Sequence, residues 1–240
     1  RQRKPVERKK ATMPRTFAFN RHVGIDTFYV AWRGTTHAFM NVVCHGTNYQ
    51  QVTWLRGCEA GTPPSKLMWQ AFLQAWIKPF GCPEVVISDG GSEFKDQFER
   101  SLEQHNVLQV ICDAASPWQN GKVERHGGWV KERAELELSS GQCVATSSED
   151  LEELITFIVC HKNRWFSRGG FSPSQLVFGS NPDIPADLLG DSPQDMAWQD
   201  IEADVFDQDT AAIAFAKTHR IRQRARELCV MDTANTKIQI

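Results

Sequence analysis

Val85-Val86-Ile87-Ser88-Asp89-Gly90-Gly91 and Ser116-Pro117-Trp118-Gln119-Asn120-Gly121-Lys122-Val123-Glu124-Arg125 bound the stretch on which the reading of this chain turns. The first is a short apolar run ending in a Gly-Gly turn. It predicts a strand with Asp89 at its carboxyl end, where open α/β sheets place their ligands. The second reads as a loop breaking into a helix, with Glu124 in the first turns. Between these two acids lie 34 residues. A third acid, Asp26, interrupts the apolar run Val23-Gly24-Ile25-Asp26-Thr27-Phe28-Tyr29-Val30. A carboxylate inside a strand is costly unless something compensates it.

Working outward, β-branched and aromatic residues predict strands over 22–32, 37–45 and 51–55, with Arg33-Gly34-Thr35-Thr36 as a turn. Thr62-Pro63-Pro64-Ser65 then opens a helix, with Ser65 as its expected cap. Its apolar positions Leu67, Met68, Ala71, Phe72, Ala75 and Trp76 follow the 3.6-residue period, and Pro79 and Gly81 end it. The strand 84–88 follows, then a helix carrying Phe94, Phe98 and Leu102, then a strand over 107–112. Helices are predicted over 119–138 and 149–164, the second with the stripe Leu151, Leu154, Ile155, Ile158 and Val159 and a start at Ser147-Ser148-Glu149-Asp150. The order β-β-β-α-β-α-β-α-α implies a mixed sheet with helices on its faces.

An apolar fraction of 41% with eight Trp indicates a folded globule. No apolar run reaches the roughly 18–20 residues of a membrane span, so no membrane role is expected. Seven Cys, scattered and without any C-x-x-C pair, predict reduced thiols, most of them acting as small buried apolar residues. The net charge of −2 hides a segregation. Residues 1–18 form a basic linker, 19–180 a core, 181–209 an acidic linker with nine acids and no Lys or Arg, and 210–240 a basic helical extension. The extension carries Arg220, Arg222, Arg224 and Arg226 and is read either as a helix that lies on DNA or as a connector. Arg1 in place of Met leads to the expectation that the chain is a piece of something longer.

The three acids suit one chemistry. Breaking or transferring a phosphodiester needs an activated oxygen nucleophile and a stabilised leaving oxygen, and two divalent cations about 3.5–4 Å apart can supply both. Mg²⁺ takes oxygen ligands and keeps several waters, so two or three carboxylates on rigid elements suffice. Glu124 sits on a helix whose other face, Val123, Gly127, Val130, Ala134 and Leu138, can pack on the sheet. Lys131, seven residues on, lies nearly above it after two turns. Taken singly, each acid also reads as a turn residue, a cap or a helix-dipole partner.

Asp26 in its strand, Ser88-Asp89-Gly90-Gly91-Ser92-Glu93-Phe94 and Ser116 to Arg125 together resemble the D, D-35-E signature of retroviral and LTR-retrotransposon integrases. The resemblance covers roughly residues 20–180, and Gly170-Phe171-Ser172-Pro173-Ser174-Gln175-Leu176-Val177-Phe178-Gly179 is similar to the segment that closes many such cores. It implies an α/β, RNase H-like fold with a mixed five-stranded sheet flanked by helices and a C-terminal helical extension. It further implies a fragment of a Pol-type polyprotein that processes element DNA 3′ ends and transfers them to target DNA. Asp26, Asp89 and Glu124 would bind two Mg²⁺ (or Mn²⁺). Asn120 and Lys131 would contact DNA ends, with Gln119 and Lys122 as further candidates. Homo-oligomers on paired DNA ends and a nuclear location, reached through the cytoplasm, are also implied.

The chain departs from the pattern in places. The gap between the last two acids is one residue short, Trp118 stands in the loop before the helix, and the family's amino-terminal His-His-Cys-Cys domain is not seen. Two other acids compete for a role. Glu93 is read as a cap near a helix start, and Asp113 as a mimic of the fourth acid of an RNase H. The alternative functions are an RNase H-like nuclease, and a host-adopted or degenerate core that binds DNA or protein.

Overall fold

Alternation of apolar residues along His22–Trp32 makes β1 a two-faced strand, and it becomes the centre of the sheet. In the computed structural model, residues 18–58, 61–112, 120–140, 143–165, 171–179, 217 and 220–230 are described. The basic arm, Asp113, Trp118, Gln119 and the acidic block lie outside them. Arg33 and Gly34 take positive φ in the turn to β2 (Thr35–Cys44), which pairs antiparallel with β1 from Val23↔Cys44 to Trp32↔Thr35. β3 (Gln50–Trp54) extends this meander. On the other side of β1, β4 (Val85–Ser88) and β5 (Leu108–Ile111) pair parallel, giving the order β3-β2-β1-β4-β5. The five predicted strands and their mixed directions are all present.

One face of the sheet is covered by α1 (Ser65–Phe72) and its continuation. Ser65 is the first helical residue, not the cap; Pro64 holds the cap position and offers no side-chain acceptor. The helix passes through a π-turn, Leu73–Ile77, into α2 (Lys78–Phe80). Pro79 has no N–H to give, and the wider turn just before it fits that missing donor. Gly81, at φ 79°, ends the run. Asn20 then ties it to β1, accepting from Trp76 Nε1 (2.8 Å) and donating to the Phe80 carbonyl (2.9 Å). A 3₁₀ turn, Ser92–Phe94, and α3 (Gln97–Gln104) complete this layer, where Val23 and Ile25 meet Met68, Phe72, Trp76, Phe94, Phe98 and Leu102.

The opposite face carries α4 (Gly121–Ser139) and α5 (Ser148–Trp165), with Phe28, Val30 and Phe39 against Val130, Ala134 and the Leu151, Leu154, Ile155, Ile158 and Val159 stripe. Burying one such side chain contributes about 1.5–3 kcal/mol. Ser147 and Asp150 cap α5 reciprocally: Asp150 N–H donates to Ser147 Oγ (3.3 Å) and Ser147 N–H to Asp150 Oδ2 (2.9 Å). Burial pushes the Asp150 carboxyl up, but the Lys217 ammonium and the Thr146 hydroxyl and amide outweigh it and hold it down at about 2. α6 (Pro173–Phe178) has the Ser172–Gln175 capping box, Pro at its start and left-handed Gly179 at its end, and Phe178 packs on Tyr49 and Phe80.

A seventh helix, α7 (residues 220–230), lies on α4 and α5 through Ile221, Ala225, Leu228 and Cys229. Two of its arginines turn to the body of the fold: Arg224 binds the fully buried Glu137 (2.5 Å), and Arg222 lies over the Phe157 ring. The basic extension therefore serves the core packing over these residues. The cysteines are all free, but only Cys44, Cys112 and Cys229 are buried. Cys58, Cys143 and Cys160 are half-buried and Cys82 is exposed, so the thiols are less uniformly internal than their sequence suggested. Among the described residues, no helix is long and apolar enough to cross a membrane.

Candidate active site

Side chains alternate along β1, so Asp26 shares its face with Gly24 and Phe28, the face that α4 covers. It is half-buried there. β4 runs parallel beside β1 with Gly24 opposite Ile87, and continuing that register by two residues sets Asp89 level with Asp26. Asp89 is exposed at the strand's exit, where its Oδ1 accepts from the Gly91 amide (3.1 Å). The carboxylate thus closes a turn with one oxygen, as a lone Asp after a strand is expected to do.

Glu124 comes from the first turn of α4, and that turn approaches the sheet closely because two glycines allow it. A Cβ on Gly24 would lie 2.7 Å from His45 Nε2 and 3.2 Å from Val123 Cβ. A Cβ on Gly127 would lie 3.0 Å from Asn41 Nδ2. Val123, Gly127, Val130 and Ala134 are buried as their spacing predicts, Leu138 is half-buried, and Glu124 is exposed on the flank of that face.

The Asp26 carboxyl is pushed up to about 7, by burial first and then by the charges of Asp89, Glu124 and Glu93, against the lowering pull of the Thr27 amide. Four acids therefore share one electrostatic neighbourhood. Glu93 stands in the 3₁₀ turn, near an element start as expected, but its carboxylate turns toward Gly91 and Asp89. Burial and then Asp89 push that carboxyl up too. Asp113 lies outside the described residues.

Among the described residues, no three His, Cys, Asp or Glu side chains are gathered as a ready-made metal cage. Mutual influence through space extends further than ligation, so the acids can sense one another without yet closing on a common point. The donor set still fits a hard cation. It is all carboxylate oxygen, and like charges around a half-buried Asp26 are what a divalent ion would neutralise.

The residues predicted to touch DNA fall in different settings. Asn120 holds the cap position of α4 but is 3% exposed, and neither of its amide atoms has a hydrogen-bond partner among the described residues. Lys122 is half-buried and donates to the His45 carbonyl. The Lys131 side chain is 41% exposed and makes a loose i,i+4 pairing with Glu135 at 3.8 Å. Gln119 lies outside the described residues.

Sequence reasoning missed the polar seam under α4. Asn41, fully buried opposite Asp26 on β2, donates to the Val123 carbonyl (2.9 Å) and accepts from Gln50 Nε2 (2.7 Å). Gln50 exchanges backbone bonds with the Asn163 side chain (3.0 and 2.8 Å), and its Oε1 accepts from Lys162. Burial lowers Lys162 to about 7. Burial, then Lys162 and Lys122, lower His126 to about 2, so His126 stays neutral and its Nδ1 accepts from Lys162 at 2.6 Å. Asn41 interrupts an apolar strand just as Asp26 does, and that signal could have found it.

The mixed sheet and its helices define an RNase H-like domain. Among solved structures, the HTLV-2 integrase catalytic core domain in complex with magnesium matches with a TM-score of 0.53 and 18% identity, covering 68% of this chain and 99% of that one. A chain of the simian T-cell lymphotropic virus intasome in complex with PP2A regulatory subunit B56 gamma matches with a TM-score of 0.59 and 16% identity, covering 72% and 60%. The fold is that of retroviral integrase catalytic cores. In sequence, the Pol polyprotein of Feline endogenous virus ECE1 is 24% identical over 144 residues, which are 59% of this chain. The chain spans 13% of that polyprotein's length. No protein-family model matches.

Proposed function

We propose that this chain is an integrase catalytic domain that trims retroelement DNA 3′ ends and joins them to target DNA. The observation that carries the proposal is the placement of Asp26 on the central strand, with Asp89 at the exit of the neighbouring parallel strand and Glu124 in the first turn of the helix that covers that face. Bound Mg²⁺ or Mn²⁺, two ions, would supply Lewis-acid activation of the attacking oxygen and neutralise charge on the leaving oxygen. Asp26, rigid in the central strand, and Asp89, at the strand exit, would hold the ions from the sheet. Glu124 would hold them from α4. Lys131, two turns up the helix and with a side chain 41% exposed, would meet a DNA phosphate.

Assembly as a homo-oligomer on paired ends is part of this reading. It is supported by the HTLV-2 core having been solved in dimeric and trimeric forms. A nuclear site of action also belongs to this reading, with the basic arm 1–18 as its address.

The test is a joining assay with the native chain, a short duplex bearing a recessed 3′-hydroxyl, plasmid DNA and Mg²⁺. Metal-dependent insertion is the expected result. Cleavage of RNA–DNA hybrid without any joining would instead favour the nuclease, and activity on neither substrate would leave a binding module. For Lys131→Ala, DNA affinity should fall, and the slope of log K against log salt should become shallower by about 0.9 for each phosphate no longer neutralised. An unchanged slope in a fluorescence-anisotropy titration would remove Lys131 from the DNA interface.

A further inference from the structure

Glu124 reaches the site on a helix, while Asp26 reaches it on the sheet, so the spacing between them is set by how α4 sits on β1 and β2. Three observations bear on that seating. Asn41 is the register partner of Asp26, points to the same face, is fully buried, and donates to the carbonyl of Val123, the residue before Glu124. Gly127 leaves the room this bond needs, since a Cβ there would come within 3.0 Å of Asn41 Nδ2. The amide cannot retreat freely, because its oxygen is held by Gln50. Gln50 is itself anchored by Asn163 and Lys162 of α5, and Lys162 returns to His126 of α4.

A glycine in the interior of a 19-residue helix is otherwise unfavourable compared with alanine. Its presence against a buried amide is explained if the close approach matters. We propose that Asn41 is a positioning residue: with Gly127 as its slot and Gln50 as its brace, it sets the distance at which Glu124 faces Asp26. The proposal rests on the integrase reading for its activity arm, but the placement of α4 is testable apart from it.

The experiment compares the full native chain with Asn41→Leu and Gly127→Ala. Three measurements are made: amide hydrogen exchange over residues 121–128, Mn²⁺ binding by electron paramagnetic resonance, and joining kinetics in Mg²⁺. Asn41→Leu should raise exchange over 121–128 at least tenfold while peptides from β1 keep native protection. It should weaken Mn²⁺ binding severalfold and slow turnover by about 10- to 100-fold, the scale of an ångström-level displacement, with KM for DNA little changed.

Gly127→Ala gives the sharper arm, and it also serves if Asn41→Leu does not fold. Helix propensity favours Ala while a Cβ 3.0 Å from the braced Asn41 amide opposes it, so thermal stability does not separate the roles; a purely structural role predicts native Mn²⁺ binding and turnover. The positioning role predicts weaker Mn²⁺ binding and lower turnover in a folded protein. Native exchange, Mn²⁺ affinity and turnover in Gly127→Ala would overturn the proposal. If the native chain joins no DNA, the integrase reading fails, while the exchange and Mn²⁺ arms still decide the role of Asn41.

Discussion

Asp89→Asn is expected to reduce Mg²⁺-dependent joining by about 10³-fold or more while leaving the fold unchanged. Asp89 is exposed at the exit of β4, and its only described structural duty is to accept the Gly91 amide. An Asn oxygen can accept that bond in the same turn, so thermal unfolding and circular dichroism should be indistinguishable from native. What disappears is the negative charge of the carboxylate beside Asp26. Loss of a ligand from a metal site removes several kcal/mol of transition-state stabilisation, at about 1.4 kcal/mol for each tenfold in rate. Joining at the native rate by Asp89→Asn would sink the assignment of the site, whatever the fold.

Arg224→Ala carries the largest expected loss of stability, about 2–4 kcal/mol. The Glu137 side chain has no exposure, and it receives Arg224 Nε at 2.5 Å and the Val144 amide at 3.3 Å. Removing one partner of a buried pair costs about 3–5 kcal/mol, because the other charge stays behind uncompensated. Arg224 is itself about one-third exposed, so water entering its place lowers the figure. Urea unfolding of the single variant and of Arg224→Ala combined with Glu137→Gln separates the causes. The double variant should recover much of the loss, since its buried amide is neutral. A loss below about 1 kcal/mol in the single variant would mean that α7 is not held by this pair.

Both predictions concern residues that local sequence reads unequally well. Asp89 was legible because a short apolar run ending in Asp-Gly-Gly can scarcely be anything but a strand and its exit. Asp26 was legible because a charge inside Val23–Val30 is a local contradiction. The helix stripe of α5 followed from its period, whereas α6 and its Ser172–Gln175 capping box appeared only in the structure. Ser65 misled because Pro64, not Ser65, holds the cap position, and the side chain of a first helical residue cannot act as the N-cap acceptor. Glu93 was read as a cap because its neighbours in sequence mark a helix start; that its carboxylate faces Asp89 depends on how the 3₁₀ turn folds back beneath the β4 exit.

The sequence by itself determined the five strands, the helix periodicity, and three acids at the ends and centre of rigid elements. These depend on period, turn chemistry and the cost of burying charge, which act over a few residues. Only the tertiary structure decided that Asn41 sits across from Asp26 and braces α4. It alone seated α7 on Glu137, and buried Asn120 at the head of α4. Those outcomes depend on strand register and on which helix covers which face. Residues 82 and 87 positions apart meet there, and no local rule of spacing reaches that far.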